Sequence, residues 1–408
     1  MSNLKKISLQ TFYQVLGKAS SSITTLVSLS LITRRFGLEA TGEYTLALTF
    51  LSFFYLAADF GVNAYVLPRL IYSKLQSEWR HLLGFRLILS LVLVAIALVL
   101  IATLPYHSNV YLYLVLVGLI SISSSSVFVT ANAYFQSQLL YNYSVLASAL
   151  GSLVSLIGIF ICISLNLQME YLIWPSVAGS LTSAVMALWI ISKKIQSFVP
   201  IFDLKYSRDL IKASWPVTLT LLANTIYFRV DAFLLGAFKD FSQVGIYNLA
   251  YQLFQAALVI PTFIMNGYYP LMIQDLSSNK QKFVKDLKKA AIGMLILGLA
   301  GTLTTFLIGP WIIEILASNK FYLSSSPLLI LSIGFPAFFL SSLLMWVLVV
   351  FQRYKLMLFV YIVGLLLNIV LNTLLIPHFS YIGAAWVTVI CEYLILIWQI
   401  IILFPTLK

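Results

Sequence analysis

Residues 82 to 104 read LLGFRLILSLVLVAIALVLIATL, an apolar run whose one charged side chain is Arg86. About 20 predominantly apolar residues are needed to cross the hydrocarbon core of a bilayer as a helix. This run is long enough, and it is not alone. Reading outward in both directions gives comparable stretches near 8–33, 43–66, 110–135, 143–165, 171–192, 211–236, 243–273, 288–316, 325–351, 355–376 and 381–404. Hydrophobic residues make up 61% of the 408, and charged residues only 9%, against about 25% charged in ordinary soluble domains. The sequence therefore predicts an all-α integral membrane protein of about twelve transmembrane helices.

The connections are short. The longest, near 193–210 and 274–287, leave no room for a folded domain outside the membrane, which excludes a nucleotide-hydrolysing domain within this chain. Gly17-Lys18 is the one Gly-Lys pair; it lacks the upstream glycine of a phosphate loop and lies inside an apolar stretch. Cys162 and Cys391 both fall in spans and read as buried thiols. His81, His107 and His378 are isolated near the ends of spans, so no metal site or other cofactor is expected.

Basic residues near short loops stay on the cytoplasmic side. With the N-terminus inside, most of the 25 Lys and Arg fall on cytoplasmic segments, among them Lys5, Lys6, Arg69, Lys74, Arg80, Arg86, Lys193, Lys194, the Lys280 to Lys289 run, Arg353, Lys355 and Lys408. Arg34, Arg35, Lys239 and Lys320 fall outside, and Lys18 and Arg229 within spans. Both termini are expected in the cytoplasm. The net charge of +12 needs no nucleic-acid partner, because basic runs that flank spans lie against anionic headgroups. No cleavable signal peptide is expected: the stretch after Lys6 is too polar for a signal core.

A faint duplication organises the chain. Gly42-Glu43-Tyr44-Thr45-Leu46-Ala47 opens the second stretch, and Gly245-Ile246-Tyr247-Asn248-Leu249-Ala250 opens the eighth. The two fall at the same place in each set of six, which predicts lobes at 1–200 and 201–408 related as parallel repeats.

Polar residues inside spans mark candidate sites. Gln10, Gln14, Lys18, Ser21, Ser22, Thr25 and Ser28 share one stripe of the first helix. A charge near mid-bilayer costs at least about 2.5 kcal/mol, so Lys18 either faces a cavity or snorkels to the surface. In the seventh stretch Thr220, Asn224, Tyr227 and Asp231 recur at helical spacing, and Thr218, Thr225 and Arg229 form a second row. Arg229 and Asp231 lie two residues apart, too far around a helix to pair. Asp59 is a candidate partner for Arg229 or Lys18. For Asp59 and Asp231, a coupling-ion or substrate role stands beside a structural ion pair, while Glu392 reads as structural. Pro175, Pro216, Pro261 and Pro336 are natural bending points, Pro261 above all.

Thr33-Arg34-Arg35-Phe36-Gly37, Gly42-Glu43-Tyr44, Asp59-Phe60-Gly61-Val62, Trp215-Pro216, Phe228-Arg229-Val230-Asp231, Gly245-Ile246-Tyr247, Asn372-Thr373-Leu374-Leu375-Ile376-Pro377 and Gly383-Ala384-Ala385 together resemble the Wzx-type polysaccharide-unit flippases. These belong to the multidrug, oligosaccharidyl-lipid and polysaccharide exporter superfamily. The resemblance covers nearly the whole chain. It implies two six-helix lobes around a central cavity in the bacterial inner membrane, both termini cytoplasmic. It also implies alternating-access movement of undecaprenyl-pyrophosphate-linked oligosaccharide units to the periplasmic leaflet, for O-antigen, capsule or exopolysaccharide synthesis. On that reading Lys18 and Arg229, with Gln14, Asn224 and Tyr227, take the substrate, and Asp59 and Asp231 take a coupling proton or sodium ion. Partners would be membrane lipids, a polysaccharide polymerase and a chain-length regulator. A drug or cation antiporter of the same superfamily would share the fold. A membrane polymerase or ligase would carry a long external loop, and none is present.

Overall fold

The computed structural model describes residues 3–59, 61–63, 66–67, 70, 75–103, 108–195, 197–317 and 319–407. These are helical almost throughout, with no strand among them. The helices are α1 (Asn3–Phe36), α2 (Leu38–Asp59), α3 (Leu75–Thr103), α4 (Asn109–Gly118), α5 (Ile120–Ser137), α6 (Tyr141–Ser164), α7 (Ile173–Ser192) and α8 (Leu204–Tyr227). They continue with α9 (Val230–Phe238), α10 (Phe241–Ala257), α11 (Val259–Ser278), α12 (Lys280–Leu316), α13 (Ser325–Ile333) and α14 (Phe335–Val350). The last stretch, Tyr354–Leu407, leaves helical geometry at Ser380 (φ 53°, ψ −138°), giving α15 (354–379) and α16 (381–407). A Cβ on Gly364 would come within 2.7 Å of the Ile395 side chain, so α16 folds back along α15.

Among the described residues, seven helices are long and apolar enough to cross a membrane, or nine if each of two bent pairs counts as one span. The Tyr354–Pro405 stretch enters that tally once although it is a hairpin. The described residues of the twelve expected stretches are helical over most of their length; the second leaves its helix at Asp59, before a turn at Gly61 and Val62, and four others are divided between two helices. The breaks fall between α4 and α5, α8 and α9, α10 and α11, and α13 and α14.

The breaks have physical causes. Pro336 has no N–H for the Ser332 carbonyl, α13 and α14 bend by 44° there, and Thr302 of α12 donates its hydroxyl to that carbonyl at 2.6 Å. Pro261 likewise cannot serve Ala257, and the helix is interrupted at Leu258. In hydrocarbon no water can satisfy such freed carbonyls, so hydroxyls from neighbouring helices must do it.

The chain divides into two compact units. The first is Met1–Arg35 with Glu43–Leu222, the second Phe36–Gly42 with Ala223–Lys408. In the first unit, α6 and α7 meet along a seam of small residues. A Cβ on Gly151 would lie 2.4 Å from the Gly179 carbonyl, and one on Gly158 would lie 2.9 Å from Pro175. Small residues let backbones approach where apolar tails supply no drive for helix association. The buried serines of α5 are tamed locally: Ser126 and Thr130 donate to carbonyls four residues back, and Ser124 pairs with Ser180 of α7 at 2.8 Å. Trp79, Phe85 and Phe135 belong to a core against which Ile195 and Tyr206 pack, and the Val199 carbonyl accepts from Arg80 at 2.7 Å. In the second unit an aromatic cluster, with Phe254 stacked on Phe335 at 5.3 Å and edge-on to Phe338, fixes α10 against α14.

Candidate functional site

The second unit holds two buried carboxylates beside the break between α8 and α9, which bend by 45°. Asp231, 1% exposed, sits in the first turn of α9. Its Oδ1 accepts from the Ala232 backbone N–H at 2.9 Å, and its Oδ2 accepts from Thr388 Oγ1 of α16 at 3.2 Å and from the Tyr247 hydroxyl of α10. In an unbroken helix the Ala232 N–H would serve the Phe228 carbonyl. Here that carbonyl accepts from the Tyr251 hydroxyl at 2.6 Å instead, and Tyr247 stacks on Tyr251 at 5.5 Å. The break and the acid cage are thus one arrangement. Hydrogen bonds to a charged group contribute about 1.5–3 kcal/mol each, so three donors can offset the cost of at least about 2.5 kcal/mol for an acid in the membrane.

Glu392 of α16, 4% exposed, is held in a similar way. Its Oε2 accepts from the Tyr227 hydroxyl at 3.0 Å and its Oε1 from Ser341 of α14. Thr388, Glu392 and Gln399 follow one another at four and seven residues, so one face of α16 serves both acids. Among the described residues neither acid has a Lys or Arg within salt-bridge distance. Beside Glu392 lies a cavity of about 240 Å³, lined among others by Asn224, Tyr227, Trp346, Tyr361 and Gln399.

Of the residues singled out in the sequence, Asn224 and Tyr227 come together at this cavity, and Asp231 lies across the helix break from them. Tyr227 is 4% exposed and turned onto Glu392. Arg229 stands at the position just before α9, makes no side-chain capping bond to it and forms no ion pair among the described residues. The side chains of Gln14 and Lys18 lie outside the described residues. Asp59, in the first unit, forms no ion pair with Arg229 among the described residues. Its partner is Arg86, whose Nη2 donates to Asp59 Oδ1 at 2.8 Å and to Asn63 Oδ1 at 2.9 Å. Arg86 is fully buried, so it is not a charge on the cytoplasmic surface, as its place near the start of an apolar run had suggested.

Sequence reasoning missed two partners: Arg86, counted with the loop charges, pairs with Asp59, and Tyr247, a marker of the repeat, bonds to Asp231. The spacing of Thr388, Glu392 and Gln399, three polar residues on one face of an apolar helix, was the available signal.

The buried acids lie in a bundle of helices long and apolar enough to cross a membrane, and the class this defines is a polytopic helical membrane protein. The chain belongs to the polysaccharide biosynthesis protein family, whose sequence model matches residues 9–276. The MatE family model also matches, over residues 216–374. No curated protein matches at a significant level. Among solved structures, the fold is similar to that of the lipid II flippase MurJ in an inward closed conformation, with a TM-score of 0.80 at 16% identity, covering 96% of this chain and 87% of that one. It is also similar to an inward-facing MATE family multidrug resistance transporter of the MOP superfamily, with a TM-score of 0.78 at 13% identity, covering 94% and 95%. A third similar structure is a MOP superfamily transporter from Pyrococcus furiosus, with a TM-score of 0.64 at 14% identity, covering 99% and 96%. The fold is that of this transporter superfamily.

Proposed function

We propose that the protein is a flippase that carries undecaprenyl-pyrophosphate-linked oligosaccharide units from the cytoplasmic to the periplasmic leaflet of the bacterial inner membrane, for O-antigen, capsule or exopolysaccharide synthesis. The observation that carries this reading is the match to the polysaccharide biosynthesis protein family over residues 9–276. The similarity in fold to a lipid II flippase supports it. The lobes are residues 1–200 and 201–408, and both termini are cytoplasmic. Lys18 and Arg229 attract the pyrophosphate, and Gln14, Asn224 and Tyr227 contribute polar contacts to the substrate. Asp231 binds the coupling proton or sodium ion; Asp59 is the second coupling acid, and taking up an ion there competes with Arg86. A polymerase and a chain-length regulator act on the delivered units. Transport, not catalysis, is the activity: the chemistry at the site is reversible binding and charge neutralisation.

The test is depletion of the protein in its native cell, with lipid-linked units assayed leaflet by leaflet. Accumulation of complete units on the cytoplasmic face supports the reading, and an unchanged distribution removes it. A second reading, a cation-coupled antiporter of small molecules, is favoured by one observation: a carboxylate, Glu392, beside a cavity with aromatic walls and, among the described residues, no Lys or Arg in its lining. Export of organic cations from cells expressing the protein, with normal lipid-linked units in its absence, would establish that reading instead.

A further inference from the structure

The cavity beside Glu392 is a built pocket with unmet hydrogen-bonding groups. Gln399 is 0% exposed, and among the described residues neither its Oε1 nor its Nε2 has a partner; the buried Asn224 Oδ1 has none there either. Buried polar atoms without partners each cost about 1–3 kcal/mol, so several around one cavity call for a ligand or ordered water. Both ends of the Gln399 amide stand free, so whichever way the amide is turned, one donor and one acceptor are offered. A bare cation would leave the amide N–H unmet, and an anion would face the Glu392 carboxylate. A neutral hydroxyl group both donates and accepts, and satisfies both ends.

The walls add a second constraint. Trp346, Tyr361 and Phe338 bring aromatic surface to the cavity, suited to the C–H face of a ring, and Glu392 accepts from hydroxyls on its rim. At about 240 Å³ the space falls below the roughly 300 Å³ at which pockets for drug-sized ligands begin. It has room for one ring and not for a chain of them.

We infer that this cavity is a subsite for a single neutral sugar ring, held by Glu392, Gln399 and Asn224 against the Trp346 side of the pocket. The inference deepens the flippase reading and rests on it for its biological meaning, since it names one neutral residue of the oligosaccharide as the part recognised in the second unit. An acidic sugar is disfavoured here by Glu392.

Saturation-transfer NMR on the full-length protein in detergent tests it, with free glucose, galactose, N-acetylglucosamine and glucuronic acid as probes at concentrations up to tens of millimolar. At least one neutral sugar should receive saturation, glucuronic acid should not, and tetramethylammonium should not compete. Gln399→Leu should cut the signal several-fold. Ser342→Leu, which places bulk in the cavity and leaves Glu392, Gln399 and Asn224 unreplaced, should do the same in a protein that still elutes as a folded species. No transfer to any neutral sugar overturns the inference, as does transfer unchanged in both variants or displacement by tetramethylammonium. A protein that delivers lipid-linked units yet shows no such binding loses this subsite alone. One that binds the sugar in this cavity but moves no lipid-linked unit loses the flippase reading instead.

Discussion

Gly42 and Gly245, which hold the same place in the two copies of the repeated motif, pack against each other. A Cβ on Gly42 would lie 3.0 Å from the Gly245 nitrogen and 1.7 Å from the Phe241 carbonyl oxygen; one on Gly245 would lie 2.4 Å from the Leu38 carbonyl oxygen. The obstacles are backbone atoms, which cannot swing aside. The start of α2 is therefore seated on the start of α10, and segment Phe36–Gly42 groups with the second unit for this reason.

Either Gly42→Ala or Gly245→Ala should then lower stability by about 1–3 kcal/mol, the usual cost of overpacking a tight site. Gly267→Ala is the control, since nothing lies within 4 Å of a Cβ there. Thermal unfolding of the purified protein in detergent should rank the control with the parent sequence and both motif variants below it.

The ion pair of the first unit gives a different signature. Removing one partner of a buried pair costs about 3–5 kcal/mol because the other charge is left alone. Arg86→Met should therefore lose folded protein, and the double variant Arg86→Met with Asp59→Asn should recover much of it. If the double variant is no more stable than the single one, Arg86 serves packing and not charge balance. If Asp59→Asn alone folds but fails to transport, the acid has a role in coupling beyond its pairing.

Asp231 offers the complementary test. Asn keeps the shape and loses the charge, and the hydroxyls of Tyr247 and Thr388 can still bond to its oxygen. Asp231→Asn should leave folded protein in the membrane and abolish gradient-driven transport. Full activity of that variant would remove Asp231 from the mechanism.

Most of the fold was legible because hydropathy records the solvent directly: a span must be apolar over its whole length, whatever it packs against. The interruption before Pro261 and the bend at Pro336 were legible too, since a missing N–H acts locally. The break at Phe228–Arg229 was not. No proline or glycine marks it; it is stabilised by Tyr251, more than twenty residues away, and by Asp231 claiming the Ala232 N–H. The partners of the acids were hidden for the same reason, since Tyr247, Thr388, Ser341 and Arg86 reach them through tertiary packing. Arg86 was misjudged because an arginine just inside an apolar run reads alike whether it snorkels to the surface or is buried in a pair.

The cations carry the proposed contact with pyrophosphate. Lys18→Ala and Arg229→Ala should each reduce delivery of lipid-linked units, and Arg229→Lys should restore it only in part, because lysine lacks the planar donor fork. Reporter fusions fix the frame for that argument: sites after Lys280 and at Lys408 should read cytoplasmic, and sites near Asn109 and Lys239 periplasmic.

The central claim is tested most directly in proteoliposomes holding the purified protein and a fluorescent undecaprenyl-pyrophosphate oligosaccharide placed in one leaflet. With an ion gradient imposed, the account predicts transfer to the opposite leaflet at a rate well above protein-free vesicles, and its loss in Asp231→Asn. Transfer no faster than in empty vesicles, from protein shown to be folded and inserted, would contradict it.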